Sequence, residues 1–309
     1  MKRKEIIVGA RGSLLSMAQT ALVIQILKKK APRYKFIFRK ITTLGDRVKQ
    51  WKRTDKGIFV KELEDALLSG EIDLAVHSVK DLPSAIPVGL SLAAIAKRVE
   101  PRDILITGKK NLGLFGLKAK AVVGTTSLRR RAQILMVRPD LRVEDLRGNL
   151  DTRIRKLNSG FYDAIIVAAA GIKRLKCKFL KTWLIPETVM LPAAGQGALG
   201  IEIRQEDRQV KKLASKIDDL KTRFCVDCER SFLRYTGAGC RMPVAAFARI
   251  KGGKILLEAM LISLDGKRAV RLAREGKTSE AKLIGRKLAE EVLKNGGKEI
   301  LREIENGSS

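Results

Sequence analysis

Aromatic residues are scarce in this chain of 309 residues, and histidine and cysteine are scarcer still. Phe, Trp and Tyr make up 5% of the sequence, which leaves few platforms for stacking the bases of single-stranded nucleic acid. One histidine cannot make a metal site, and four cysteines are too few for a disulfide framework in a chain of this length. The longest apolar runs, such as residues 164–171, are too short to cross a bilayer, and the amino terminus shows no cleavage site. We therefore expect a soluble, cytoplasmic protein with no membrane partner.

Acidic residues are also few, because 33 Asp and Glu face 63 Lys and Arg and leave a formal charge of +30. Such a charge attracts polyanions, so nucleic acid is one candidate partner. However, the sequence has no zinc-finger spacing and no RNA-recognition signature, and lysine runs such as residues 28–30 fall at predicted helix ends. A solvated basic surface explains those lysines better, and we expect no nucleic-acid partner.

The order of apolar patterns predicts two α/β domains followed by a smaller α+β domain. Strands at 5–10, 34–41 and 73–76 alternate with helices that begin after Ser13 and at residue 59. The alternation restarts after Pro101, with strands at 121–124, 141–145 and 164–168 and helices at 127–137 and 150–158. From about residue 221 a helix, three strands and a final helix follow. Such alternation predicts largely parallel sheets with ligand sites at the carboxyl ends of strands, and the unpatterned residues 45–57 suggest a mobile loop.

Arginines gather where these predicted strands end. Arg11 follows the first strand, residues 129–131 open the helix after residues 124–126, and Arg147 and Arg153 occupy another junction. Helix amino termini present free amide donors, and guanidinium groups add bidentate recognition of carboxylates. Any one of these arginines could be a surface or ion-pair residue. Their shared placement favours a site for several anionic groups.

Asp81 is the carboxylate of the turn at residues 77–81, directly after a predicted strand. A fixed carboxylate there could stabilise a cation that forms on a ligand, or it could make an Asx-turn before Leu82 and Pro83. Both readings are open from spacing alone. His77 fits a packed histidine better than a base.

Two groups of cysteines have different settings. Cys225 and Cys228 fall in a helical pattern with Phe224 and Phe232, which favours a packed face over a zinc or redox site. Cys240 instead lies in a loop of small residues at 236–239, with a proline soon after it. Such a loop can bring its thiol close to a large ligand, although an inert loop cysteine is the alternative.

Taken together, these segments resemble the porphobilinogen deaminase (hydroxymethylbilane synthase) family. The matching segments follow the family's order from residue 9 to about residue 245: Gly9-Ala10-Arg11-Gly12-Ser13, Gly57-Ile58-Phe59-Val60-Lys61-Glu62-Leu63, Val76-His77-Ser78-Val79-Lys80-Asp81-Leu82-Pro83, Thr126-Ser127-Leu128-Arg129-Arg130, Leu146-Arg147-Gly148-Asn149, Leu191-Pro192-Ala193-Ala194-Gly195-Gln196-Gly197, and the Cys240 loop. One departure is that Ala238-Gly239 replaces the usual pair of glycines before the cysteine.

The resemblance implies two periplasmic-binding-protein-like (type II) domains with mixed sheets, plus a small C-terminal α+β domain that carries the cofactor cysteine. The expected ranges are 1–98 with 198–216 for the first domain, 99–197 for the second and 217–309 for the third. Residues 98–101 and 191–200 would be the crossings between the first two.

Residue roles also follow from the resemblance. Cys240 would hold a dipyrromethane cofactor through a thioether, and Asp81 would be the catalytic residue that contacts pyrrole nitrogens of cofactor and substrate. The other implied cofactor contacts are Lys80, Ser127, Arg129, Arg130 and Arg147. The implied substrate contacts are Arg11, Ser13, Gln19, Lys56, Phe59, Arg147, Asn149, Arg153, Arg174 and Gln196.

The activity implied by the family is a transferase reaction of porphyrin biosynthesis. Four porphobilinogen molecules would be joined stepwise on the dipyrromethane, each with loss of ammonia, and hydrolysis would release linear hydroxymethylbilane. We expect a monomer that can pass its product to uroporphyrinogen-III synthase. The alternative from residues alone is an intracellular two-lobed protein that binds an anion without catalysis.

Overall fold

A computed structural model describes residues 4–42, 60–108, 113–177, 181–238 and 242–306. Its strands, in chain order, are β1 (Glu5–Arg11), β2 (Lys35–Ile41), β3 (Leu74–Ser78), β4 (Leu90–Ala96), β5 (Asp103–Thr107), β6 (Val122–Gly124), β7 (Arg142–Glu144), β8 (Ala164–Ala168), β9 (Lys181–Leu184), β10 (Leu199–Arg204), β11 (Val244–Lys251), β12 (Lys254–Ile262) and β13 (Ala269–Lys277). Its α-helices are α1 (Leu14–Lys30), α2 (Lys61–Leu68), α3 (Leu128–Val137), α4 (Leu150–Asn158), α5 (Ala169–Arg174), α6 (Arg208–Ala214), α7 (Leu220–Thr236), α8 (Ala281–Val292) and α9 (Lys298–Asn306).

The chain divides into two compact units. The first comprises Met1–Val99 and Ala198–Arg223, and the second comprises Glu100–Gly197 and Phe224–Ser309. The ranges expected for three separate domains stay a prediction.

The first unit is built on a mixed sheet of five strands in the order β2-β1-β3-β10-β4. Strand β1 runs parallel to β2 and β3, whereas β10 runs antiparallel to β3 and β4. The pairing of Gly9 with Ala75 brings the carboxyl ends of β1 and β3, at Arg11 and Ser78, to the same edge of the sheet. Arg11 and the turn with Lys80 and Asp81, which are predicted to bind ligand, lie at this edge.

Helices cover both faces of this sheet, as its alternating apolar residues require. On one face Ile6 and Val8 pack with Val23 and Leu27 of α1. On the other face α2 packs through Leu63 and Leu67, with Ala75 of β3 in the same cluster.

The second unit contains a mixed sheet in the order β7-β6-β8-β5-β9. Strands β7, β6 and β8 are parallel, and β5 is antiparallel to both β8 and β9. Gly124, at the end of β6, pairs with Glu144 of β7 and Ile165 of β8. The carboxyl ends of all three strands therefore meet at one edge.

The same unit includes an antiparallel sheet, β11-β12-β13, with α7 and α8 packed on it around the fully buried Phe232. On the other face of this sheet, Phe247 and Met260 pack in one hydrophobic cluster with Ala132 of α3 and with Leu191. Gly266 makes this approach possible, because a Cβ there would lie 2.6 Å from the Ala132 carbonyl oxygen. The C-terminal sheet thus packs against α3, the helix that carries the arginines at residues 129–131.

The predicted fold class is confirmed in its mixed sheets and in its C-terminal α+β part, which has an antiparallel sheet and helices. Predicted elements such as 150–158 and 164–168 match α4 and β8. The alternation alone missed the antiparallel members β5 and β10. The predicted mobile loop at 45–57 lies outside the described residues. Among the described helices, none combines the length and apolar character that a bilayer crossing needs.

Candidate functional site

The turn that carries Asp81 is held from several sides. It is a 3₁₀ turn, Val79–Asp81, directly after β3, and it leaves Asp81 exposed and Lys80 partly buried. The buried Gln19 donates from Nε2 to Ser78 Oγ at 3.0 Å, and the Val79 amide donates to the Ala198 carbonyl at 3.1 Å. The backbone that presents the Asp81 carboxylate is therefore fixed, and Gln19 contributes to fixing it.

The first strand ends at the same edge. Arg11 is the last residue of β1, and Ser13 is the N-cap of α1, with its Oγ accepting a hydrogen bond from the Ser16 amide at 3.2 Å. The predicted N-cap is confirmed. Its hydroxyl stabilises the helix whether or not it also contacts a ligand.

His77 is a packed residue rather than an accessible base. It is 5% exposed, and its Nε2 lies 2.8 Å from Oε2 of the fully buried Glu202. Burial raises the pKa of the neighbouring Glu64 on α2, the Glu202 charge raises it further, and His77 lowers it. Neither glutamate was recognised from the sequence; an acidic residue inside the apolar run of β10 was the available signal.

In the second unit, Arg129 and Arg130 lie at the start of α3 and are buried, at 4% and 5% exposure. A residue that the sequence reasoning missed, Asp103, holds both of them. Its Oδ1 accepts from Nε and Nη2 of Arg130 at 3.0 and 2.7 Å, and its Oδ2 lies 2.8 Å from Nη2 of Arg129. Burial lowers the pKa of Arg129, Asp103 opposes that shift, and Arg130 adds to it.

The N-caps of α3 and α4 leave their helix ends open. Ser127 and Asn149 occupy the N-cap positions, but neither side chain makes a capping bond within the part of the chain that the structure describes. Gly148 precedes Asn149 with φ of +112°, a conformation that favours glycine. Amide donors at such helix ends are suited to anions.

Two further arginines that were predicted to bind ligand, Arg147 and Arg153, flank the start of α4. Arg147 is half exposed, with a guanidinium nitrogen 3.8 Å from Asp145 Oδ2. Arg153 donates from Nε to the Gly148 carbonyl at 2.8 Å. Both therefore lie beside the open end of α4, near the predicted substrate contact Asn149.

Arg174 lies against the return segment at 191–197, and Gln196 belongs to that segment. Arg174 donates from Nη2 to the Gly197 carbonyl at 2.7 Å, and its buried Nε meets no hydrogen-bond partner among the described residues. Burial lowers the pKa of Arg174 to about 10. Gln196 donates from Nε2 to the Pro101 carbonyl at 2.6 Å and to Asp103 Oδ1 at 3.1 Å. A buried guanidinium with this little compensation is suited to an added carboxylate.

The helix that precedes the Cys240 loop is anchored by another residue missed in the sequence. Glu229 of α7 is fully buried, and its two oxygens accept from the amides of Gly195 and Ala248 at 2.7 and 2.8 Å. It joins α7 to the return segment and to β11. Cys240 itself lies outside the described residues, as do Lys56 and Phe59.

Cys225 and Cys228 belong to the core of the C-terminal sheet and helices, at 8% and 0% exposure. Burial is the main cause that raises the pKa of the Cys228 thiol, and the neighbouring Glu229 raises it further. The packed-face interpretation of this helical pattern is confirmed. In the described ranges, no group of three or more His, Cys, Asp and Glu could hold a metal ion.

These features define a class: an α/β protein that gathers guanidinium groups and open helix ends at the carboxyl edges of its strands, as recognition of several carboxylates requires. The family model for "Porphobilinogen deaminase, dipyromethane cofactor binding domain" matches residues 6–212, and the model for the C-terminal domain of porphobilinogen deaminase matches residues 223–294. The chain belongs to the porphobilinogen deaminase family.

Curated relatives agree over nearly the whole chain. The porphobilinogen deaminase of Desulforudis audaxviator is 45% identical over 99% of this chain and 100% of its own length. That of Thermus thermophilus is 46% identical over 97% and 99%. Among solved structures, the periplasmic VFT2 domain of Bordetella pertussis BvgS aligns with a TM-score of 0.43 and 14% identity, covering 69% of this chain and 86% of that one, which is too weak to carry an argument.

The predictions of family, transferase class and dipyrromethane cofactor are therefore confirmed. The described residues also fit the cofactor by their own chemistry. A pyrrole chain that bears several carboxylates would meet Arg174 and the two open helix ends at Ser127 and Asn149.

Proposed function

We propose that the chain acts as a hydroxymethylbilane synthase, with Asp81 as its catalytic residue and the strand-end arginines as its carboxylate receptors. The observation that carries this proposal is the collection of incompletely compensated guanidinium groups and open helix ends at the carboxyl edge of the second sheet. Arg129, Arg130 and Arg174 are largely buried there, and Asp103 is the carboxylate that faces two of them. An anionic ligand completes that charge balance.

The dipyrromethane, attached to Cys240, supplies the pyrrole end to which porphobilinogen units are added. Lys80, Ser127, Arg129, Arg130 and Arg147 hold its acetate and propionate groups. Incoming porphobilinogen carries the same two acids, and it is received by the substrate contacts Arg11, Ser13, Gln19, Lys56, Phe59, Arg147, Asn149, Arg153, Arg174 and Gln196. Each added unit brings two more carboxylates, which explains why the enzyme uses so many cations.

Asp81 acts on the charge that develops when ammonia leaves. Loss of ammonia turns the substrate into a cation, and a carboxylate held in place beforehand stabilises that cation without having to reorganise. The bonds from Gln19 to Ser78 and from Val79 to Ala198 provide that preorganisation, because they fix the turn on both sides. Asp81 also accepts hydrogen bonds from pyrrole N–H groups.

The proposal also covers the location of the enzyme, its oligomeric state, the fate of its product and its division into domains. The chain works as a cytoplasmic monomer, and its linear product passes to uroporphyrinogen-III synthase. The three-domain division at 1–98 with 198–216, 99–197 and 217–309 places Cys240 in the third domain.

Two variants test the proposal against the rival of an anion-binding protein without catalysis. Cys240→Ala should lose both the adduct of two pyrrole units, measured by intact mass and by Ehrlich's reagent, and all turnover of porphobilinogen. Asp81→Ala should keep the adduct and lose about 100-fold or more in kcat, the scale expected for a preorganised charge.

Matched controls are Cys177→Ala, a partly buried cysteine far from residue 240 in the sequence, and Asp65→Ala, an exposed carboxylate on α2. Both should keep adduct and turnover. Normal product release by Cys240→Ala or Asp81→Ala would refute the assigned roles. An unmodified wild-type protein that binds porphobilinogen without turnover would favour the rival.

A further inference from the structure

Asp103 has no role in the proposed chemistry, yet it is a fully buried charged residue. It is the first residue of β5, and its two oxygens are divided between two guanidinium groups. Oδ1 faces Arg130 and Oδ2 faces Arg129, at 2.7 and 2.8 Å from the nearest nitrogens. One carboxylate thus sets the spacing between the two arginines.

Each arginine is held at a second point by a backbone carbonyl. Arg129 donates from Nη1 to the Leu191 carbonyl at 2.8 Å, and Arg130 donates from Nη1 to the Ile166 carbonyl at 3.0 Å. A guanidinium is planar, so contacts at two of its edges fix the orientation of the whole group. Without the Asp103 carboxylate, each guanidinium would keep only its contact with a backbone carbonyl and could rotate.

The cluster also has a defined charge. Asp103 supplies one negative charge against the two positive charges of Arg129 and Arg130, in a place where water screens poorly. Asp103 and Arg130 are the charged groups that act on the pKa of Arg129. The remaining cationic charge is suited to a carboxylate that arrives from outside the chain.

We propose that Asp103 is a positioning residue for ligand carboxylates: it holds Arg129 and Arg130 side by side and leaves them one net positive charge. This inference rests on the proposed function, in which the two arginines bind the acids of the cofactor. Asp103 itself does not touch the ligand.

When Asp103 is neutralised, its positioning role and its effect on net charge predict opposite changes in the binding of a ligand carboxylate. Asp103→Asn raises the local charge by one unit, so charge alone would strengthen binding of a carboxylate. Loss of orientation would weaken it, because binding groups that are displaced by about 1 Å cost up to about 100-fold. We expect the weakening.

The experiment starts from apoprotein prepared in the absence of porphobilinogen and then supplied with it. The rate of cofactor attachment at Cys240 is followed by intact mass, and kcat and KM are measured on the fraction that becomes loaded. Asp103→Asn should load about 10-fold or more slowly and show a raised KM for porphobilinogen. Asp103→Glu keeps the charge and both oxygens, so it should recover part of the loading rate.

Asp140→Asn is the matched control, because Asp140 also makes a paired contact with an arginine, Arg138, but on an exposed part of the second unit. It should load at the wild-type rate. Wild-type or faster loading by folded Asp103→Asn would overturn the proposal. If Asp103→Asn does not fold, the test uses Asp103→Glu. Unchanged loading and KM in that variant would overturn the proposal. A loading defect with a wild-type melting temperature would support it. A wild-type protein that never acquires the adduct would refute the proposed function instead.

Discussion

At the scale of one residue, Arg174 shows how a ligand-binding group can destabilise the ligand-free protein. Its guanidinium is largely buried, its Nε meets no partner among the described residues, and burial lowers its pKa from the ordinary value of arginine to about 10. A base whose folded pKa is below its unfolded pKa destabilises the fold wherever it is charged, which includes neutral pH. That cost disappears as the pH rises above about 10 and passes the ordinary pKa of arginine.

We expect Arg174→Met to stabilise the apoprotein and impair the enzyme. The free energy of unfolding at neutral pH should rise by roughly 1 to 3 kcal/mol, because an apolar side chain of similar length replaces a poorly compensated charge. The KM for porphobilinogen should rise about 10-fold with the loss of a buried charged hydrogen-bond donor. Urea unfolding and steady-state kinetics check the two effects.

Arg138→Met provides the comparison, because Arg138 is paired with Asp140 and its pKa is raised by that hydrogen bond. This variant should lose stability and keep its KM. An Arg174→Met protein that is less stable than wild type, with an unchanged KM, would show that Arg174 is a structural residue.

At the scale of elements, local patterns predicted helices such as α3 and α4 and the parallel strands β6 and β8, but missed the antiparallel strands β5 and β10. Ser13 signalled the start of α1 because an N-cap acts within three residues of itself. Asp103 and Glu229 could not be found in that way, since their partners lie 27 and 34 residues away along the chain. Asp103 gave one weak signal, an acid beside an apolar run, whose meaning depends on how the elements pack.

The helix ends themselves give a prediction that separates folding from binding. Ser13→Ala removes a formed cap and should lower the free energy of unfolding by about 1 kcal/mol. Asn149→Ala removes a side chain that makes no capping bond in the described structure, so the change should stay below about 0.5 kcal/mol. The KM for porphobilinogen should nevertheless rise in Asn149→Ala. Denaturant unfolding and kinetics on the same samples test both statements, and a full cap-sized loss of stability in Asn149→Ala with normal KM would contradict them.

At the scale of the whole molecule, the charge of +30 exceeds what the strand-end arginines account for. Runs such as Lys28 to Lys30 at the end of α1 stabilise a helix carboxyl terminus and remain exposed. Charges of this kind contribute little to stability, but they add to the field that attracts an anionic substrate. The surplus therefore affects how quickly porphobilinogen arrives more than how tightly it is held.

We expect this field to appear as a salt effect on kcat/KM. Between about 0.1 M and 1 M salt the Debye length falls from about 10 Å to about 3 Å, so steering by distant lysines is lost while buried contacts persist. The value of kcat/KM for porphobilinogen should fall steeply, and kcat should change little. Replacing Lys28, Lys29 and Lys30 together with glutamine should flatten the salt dependence slightly without altering kcat, because none of the three is a proposed ligand contact. If kcat/KM proves insensitive to salt while a short RNA binds tightly and inhibits turnover, the basic surface serves a polyanionic partner, and the expectation of no nucleic-acid partner is wrong.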